Sequence, residues 1–177
     1  MQLDFSKNYF ELFDLPITYH INVGDLELAY RDVQSVVHPD RYAVAEEAAQ
    51  RLAAQWATRA NEAYAILKSP LKRARYFLQL HGIDTQEHTH TDMPAAFLMQ
   101  QIEWREAAQQ AGQAKDIVAL ERIASLRRQA ERQLFLQLAR ELDSPDTYQD
   151  ARQSVRKLRF LERLGEEIGD AFDNLVE

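Results

Sequence analysis

Two stripes of apolar side chains at helical spacing stand on either side of a three-residue polar break, and no other feature limits the fold as much. Before the break, Leu26, Tyr30, Val33 and Val37 are spaced by four, three and four residues. After it, Leu52, Trp56, Ala60, Ala63 and Leu67 are spaced by four, four, three and four. Each spacing lines one face of an α-helix. Two such helices with a short connection bury their faces against each other as an antiparallel hairpin. The break is His38-Pro39-Asp40. Proline disfavours the α-conformation in the residue before it, so His38 is expected to close the first helix. A buried tip would leave backbone polar groups without partners, so the tripeptide is expected to face solvent.

Shorter helices flank the hairpin. One is expected over residues 8–14, with Ser6 as its cap and Pro16 just past its end. Asn22 is the expected N-cap of the second helix, and Asp25 places a carboxylate in its first turn. The third helix starts near 43–46 and stops at Ser69-Pro70; a fourth covers about 71–81 and ends before Gly82, a natural C′ residue. Residues 82–93 (GIDTQEHTHTDM) lack periodicity and mark a boundary, giving units 1–81 and 94–177 with a linker between them. Three more helical patterns follow. The first, about 94–111, places Leu98, Ile102 and Ala108 on one side, with Pro94 in the first turn. The second, about 115–142, carries Leu120, Ile123, Ala130, Leu134 and Leu138. The third, about 147–175, carries Tyr148, Ala151, Val155, Leu158, Leu161, Ile168, Phe172 and Leu175. Three amphipathic helices with short connections make an antiparallel bundle, so the whole chain reads as all-α.

Composition excludes several classes. With 46% hydrophobic and 28% charged residues the chain has the balance of a globular protein. No apolar run approaches the roughly 20 residues that cross a bilayer, and the first residues show no secretory pattern. The absence of cysteine removes disulfides, thiol catalysis and Cys-ligated metal from this chain itself. Residues 1–81 carry a net charge of −1 and residues 82–177 carry −6. An acidic second half lacks the footprint of nucleic-acid binding and suits a basic protein partner. A cytoplasmic location is expected, with no membrane and no nucleic acid among the partners.

Each candidate site has a plainer reading beside it. His38 and Asp40 suit an acid–base pair, but Val36, Val37, Arg41 and Tyr42 supply neither nucleophile nor pocket; taken alone, the tripeptide is a helix-ending loop. Leu98, Ile102 and Glu106 recur every four residues with Met99 and Glu103 beside them, an apolar strip flanked by carboxylates. Such a strip is either bundle core or a surface for an apolar patch ringed by Lys or Arg. His81, His88 and His90 fall in or beside a polar linker, which does not hold metal ligands rigidly. Arg152, Arg156, Lys157, Arg159 and Arg163 are interleaved with acids and read as a solvated helix face. No Gly-rich phosphate loop is present.

The order of residues 9–16 (YFELFDLP), an amphipathic helix, 36–42 (VVHPDRY), a long helix and 61–76 (NEAYAILKSPLKRARY) resembles a J domain throughout. The second half, at 96–106 (AFLMQQIEWRE) and 155–161 (VRKLRFL), resembles the HscB family, J-type co-chaperones of iron–sulfur cluster biogenesis. The resemblance covers nearly the whole chain. It implies an ATPase activator, not an enzyme, with no cofactor of its own, acting as a monomer. It implies that His38, Pro39 and Asp40, with Arg31 and Arg41 nearby, contact the heat-shock-protein-70-class chaperone HscA. It implies that Leu98, Met99, Ile102, Glu103, Glu106 and Phe160 hold the scaffold IscU. Two departures stand out. The second helix is weakly basic, with Arg31 against Asp25, Glu27 and Asp32, and Gln109-Gln110 replaces an acidic residue common in the family. The rival readings are a general J-protein for varied unfolded clients, a purely structural adaptor, and a metal-dependent enzyme. The lack of a Gly/Phe-rich segment, of zinc-binding cysteines and of paired Glu-x-x-His motifs counts against the first and last.

Overall fold

The computed structural model describes residues 4–42, 45–85 and 93–176, with backbone alone at Pro39 and Val176. Among the described residues the chain is all-α. The helices are α1 (Tyr9–Leu12), α2 (Val23–Val37), α3 (Glu47–Lys68), α4 (Pro70–Leu80), α5 (Ala95–Gln113), α6 (Ile117–Glu141) and α7 (Tyr148–Val176). Single 3-10 turns cover Pro39–Tyr42 and Pro145–Thr147. Among these residues no helix is long and apolar enough to cross a membrane. The chain divides into two compact units, 1–80 and 81–177.

In the first unit α1 is capped by Asn8, not Ser6. Asn8 Oδ1 accepts the Glu11 N–H at 3.0 Å while the Glu11 carboxylate accepts the Asn8 N–H at 2.8 Å, a reciprocal box that satisfies two orphan donors. The helix ends at Leu12, short of the expected 14. Asp14 takes a left-handed φ of 54°, and the Leu15 N–H turns back to Phe10 O at 2.9 Å. Asn22 caps α2 as expected, accepting the Gly24 N–H at 2.9 Å. Pairings across the hairpin run Glu27 with Lys68, Tyr30 stacked on Tyr64 at 4.2 Å, and Gln34 bonded to Asn61. Numbers fall on α3 as they rise on α2, so the hairpin is antiparallel. Leu26, Val33, Val37, Trp56, Ala60, Ala63 and Leu67 are buried within it. Leu52 is not: it is 49% exposed, and Ala53 lies inside. The stripe 53-56-60-63-67 alternates three and four, the truer helical register, and one residue's shift rotates a side chain by about 100°.

In the second unit Leu120, Ile123 and Ala124 of α6 pack with Leu164 and Ile168 of α7 and with Ala108 and Ala111 of α5. Phe97 meets Phe160, Arg105 meets Glu167, and a Cβ at Gly112 would stand 3.5 Å from that of Ala171. Both numbers rise together, so α5 and α7 run parallel with α6 returning between them. Pro94 stands at the N-cap position of α5, not in its first turn. Gly82, with φ of 75°, follows α4 as the expected left-handed residue. Beyond it, Thr85 O accepts a bond from Arg156 Nε at 2.6 Å and Met93 is buried, so both ends of the 82–93 stretch pack within the second unit. Residues 86–92, with His88 and His90, lie outside the described residues.

Candidate partner-binding sites

The hairpin tip is built from the open end of α2. A helix leaves its last carbonyls without intrahelical donors, and residues just past the break supply them. The Arg41 guanidinium donates to Ser35 O, the Tyr42 hydroxyl donates to Val36 O at 3.2 Å, and the Arg41 N–H reaches His38 O at 3.0 Å. His38 closes α2 with ψ of 128°, the extended value that the following proline demands. Its Nδ1 accepts the Asp40 N–H at 3.3 Å and stands 3.5 Å from Asp40 Oδ2. The two side chains are 54% and 90% exposed, so the tip presents an imidazole and a carboxylate to solvent on a turn fixed from beneath. Arg31 and Arg41 are exposed as well. Arg41 thus has a structural bond besides the chaperone contact that the resemblance implies for it.

The second candidate lies on α5, which is apolar on two sides. Gln101, Ala108 and Ala111 face inward, and Trp104 and Ala107 are partly buried against the core. Two aliphatic side chains point the other way: Met99 is 61% exposed and Ile102 53% exposed, with Leu98 half-buried. Leu98, Ile102 and Ala108, expected on one side of the helix, do not share a face: Ala108 is buried and Ile102 is exposed. Alanines on the inner face let helices approach closely, and this packing leaves the bulky stripe outside. Glu103 and Glu106 are exposed beside it. Phe160, half-buried on α7, is brought to the start of α5 by the edge-on contact with Phe97, ring centroids 6.1 Å apart. Contiguous exposed apolar surface with a polar rim marks an interaction site.

The remaining candidates fare differently. His81 packs edge-on against Tyr148 at 5.0 Å. Among the described residues no group of three or more metal-ligating side chains is poised to hold an ion. The basic run on α7 is not wholly a solvated face: Arg156 is buried and bonded to Thr85 O, and Arg159 pairs with Glu162 at 2.6 Å. Phe97 had no role in the sequence reading, although it stands in register with Gln101, Trp104, Ala108 and Ala111, spaced by four, three, four and three.

Residues 93–169 match the family model described as the HSCB C-terminal oligomerisation domain. A co-chaperone protein HscB homolog of Paraburkholderia phytofirmans is 48% identical over 170 residues, which cover 96% of this chain and 97% of that one. The chain belongs to the HscB family of co-chaperones. A second HscB homolog, from Ralstonia nicotianae, is 45% identical over the same share of both chains. Among solved structures, the HscB chaperone from Vibrio cholerae aligns with a TM-score of 0.83 at 34% identity, covering 96% of this chain and 99% of that one. Human co-chaperone HscB aligns with a TM-score of 0.88 at 26% identity, covering 94% and 83%. The first unit is accordingly the J domain of an HscB chain and the second its C-terminal helical bundle.

Proposed function

We propose that this HscB-family chain carries the iron–sulfur scaffold IscU to the chaperone HscA and stimulates ATP hydrolysis there. Leu98, Met99, Ile102, Glu103, Glu106 and Phe160 form the scaffold-binding face. His38, Pro39 and Asp40, with Arg31 and Arg41 beside them, contact HscA. The ATP is hydrolysed by HscA, and this chain supplies contacts, not catalytic groups or a cofactor. The observation that carries the reading is α5 itself, which buries Ala108 and Ala111 and exposes Met99 and Ile102. An apolar centre rimmed by carboxylates fits a partner patch ringed by Lys or Arg. The outward bulky stripe has no use in the bundle and a direct use in docking.

The test is the steady-state ATPase rate of HscA, with and without IscU, in the presence of this protein. Wild type is expected to stimulate and His38→Gln is not. A Leu98→Ala/Met99→Ala/Phe160→Ala variant is expected to keep the stimulation seen without IscU and to lose the joint effect with it. No stimulation by folded wild-type protein overturns the reading. In the cytoplasm we place the chain as a monomer, so sedimentation velocity is expected to return one species near 20.5 kDa. A stable dimer would instead match the oligomerisation named in the family description.

A further inference from the structure

The α5 strip and Phe160 stand on different helices, and the side chain that joins them is Phe97. Its ring meets Phe160 at an interplanar angle of 86°, an edge-to-face pair. The Lys157 ammonium lies 6.0 Å from the Phe97 centroid. Lys157 and Phe160 are three residues apart on α7 and so share one helix face. Phe97 is therefore held by two neighbours on α7 while its own helix carries Leu98 and Met99 in the next two positions. A half-buried phenylalanine without such a neighbour samples other rotamers, and a partner must then immobilise it on binding.

We propose that Phe97 is a positioning residue of the scaffold-binding face: it acts through Phe160, fixing that ring as the α7 part of the surface begun by Leu98, Met99 and Ile102. The proposal rests on the scaffold reading above. Without Phe97, Phe160 stays on the surface but is not pre-set, and affinity falls by the ordering of one side chain, about three- to tenfold. With Phe160 already removed, Phe97 has nothing left to position. The effects of the two substitutions are thus expected to overlap instead of adding.

The experiment is calorimetric titration of the full chain with cluster-free IscU. The proteins are wild type, Phe97→Ala, Phe160→Ala, the double variant, and Phe97→Tyr, which keeps the ring. Expected are about a three- to tenfold loss for Phe97→Ala, wild-type affinity for Phe97→Tyr, and a double variant no weaker than Phe160→Ala alone. Additive losses would mean that Phe97 meets the scaffold directly, and wild-type affinity for Phe97→Ala would mean that Phe160 needs no partner; either overturns the proposal. A Met99→Ser/Ile102→Ser reference separates the two levels. If that variant also binds like wild type, the scaffold reading itself fails; if it alone loses binding, only the positioning role fails. Should Phe97→Ala fold poorly, as judged by circular dichroism, Phe97→Leu replaces it with the same expected loss and the same overturning outcomes.

Discussion

Burial holds Tyr19 above the usual tyrosine value of 10.0, with the Arg73 guanidinium 5.0 Å from its ring pulling the other way. Burial raises Tyr9 as well, helped by a bond to Glu62, and raises Tyr76 against the Tyr9 N–H that it accepts at 3.0 Å. A folded-state pKa above the unfolded one means that the native state holds the proton more tightly. The resulting stability is fully present below the unfolded value and is lost as pH rises through the folded values. The melting temperature is therefore expected to stay level up to about pH 9 and to fall above about pH 10, with part of the tyrosinate absorbance appearing late. A titration in which all seven tyrosines ionise together at the ordinary value would refute this. At this scale the sequence was legible where backbone chemistry is local. Pro39 dictates the end of α2 at His38, and Asn22 caps α2 as its type suggests. The cap expected at Ser6 is Asn8 instead, and Glu11, three residues after Asn8, is the signal that points to it. Arg73 was not legible. It sits in a basic run, yet it is buried, with Nε on Tyr19 O at 2.9 Å and Nη1 on Leu67 O at 2.5 Å. Only the fold shows that one guanidinium closes α3 and ties down the loop before α2.

Helix α5 shows why an element's pattern and its orientation are separate questions. The strip through Leu98 and Ile102 reads from the sequence either as core or as surface, and spacing alone leaves both open. Gln101, Trp104, Ala108 and Ala111, spaced by three, four and three, turn inward instead. The bundle buries Ala108 and Ala111, packs Trp104 against the same cluster, and leaves Met99 and Ile102 outside. On α3, too, Leu52 is exposed and Ala53 buried, a single residue's rotation separating a core position from a surface one. The orientation of α5 has a stability signature. Met99→Ser and Ile102→Ser are each expected to change the unfolding free energy by less than about 0.5 kcal/mol, as exposed positions do. Leu120→Ala, fully buried against α5 and α7, is expected to cost about 2–5 kcal/mol by leaving a cavity. Urea denaturation of the three variants measures both. Losses of several kcal/mol at Met99 or Ile102 would place them in the core and remove the scaffold-binding face.

Over the whole molecule, two units were legible because the aperiodic run near 82–93 separates two complete sets of apolar stripes, each able to bury its own core. Less legible was that 82–85 and Met93 pack with the second set, since a carbonyl such as Thr85 O carries no sequence signal of its bond to Arg156. The charges divide with the units, −1 over residues 1–81 and −6 over 82–177, and the two proposed partners should therefore respond differently to salt. On the J-domain side the available cations are few. On α2 Arg31 is outnumbered by Asp25, Glu27 and Asp32, Arg41 lies just past the helix, and Lys68 of α3 is paired with Glu27 at 3.3 Å. Steering by a strongly charged face raises association rates by about 10- to 1,000-fold and is lost as salt screens it. Here little steering exists to lose. The association rate with HscA is expected to vary less than about tenfold between about 50 and 500 mM salt, while that with IscU, guided by Glu103, Glu106 and the acidic bundle, falls more steeply. Stopped-flow measurements on the one full-length protein give both slopes. A steep slope for HscA that Arg31→Ala leaves unchanged would show that other groups than these guide the J domain to its ATPase. Equal, shallow slopes for both partners would remove the carboxylate rim from the scaffold contact, leaving its apolar centre to carry the binding.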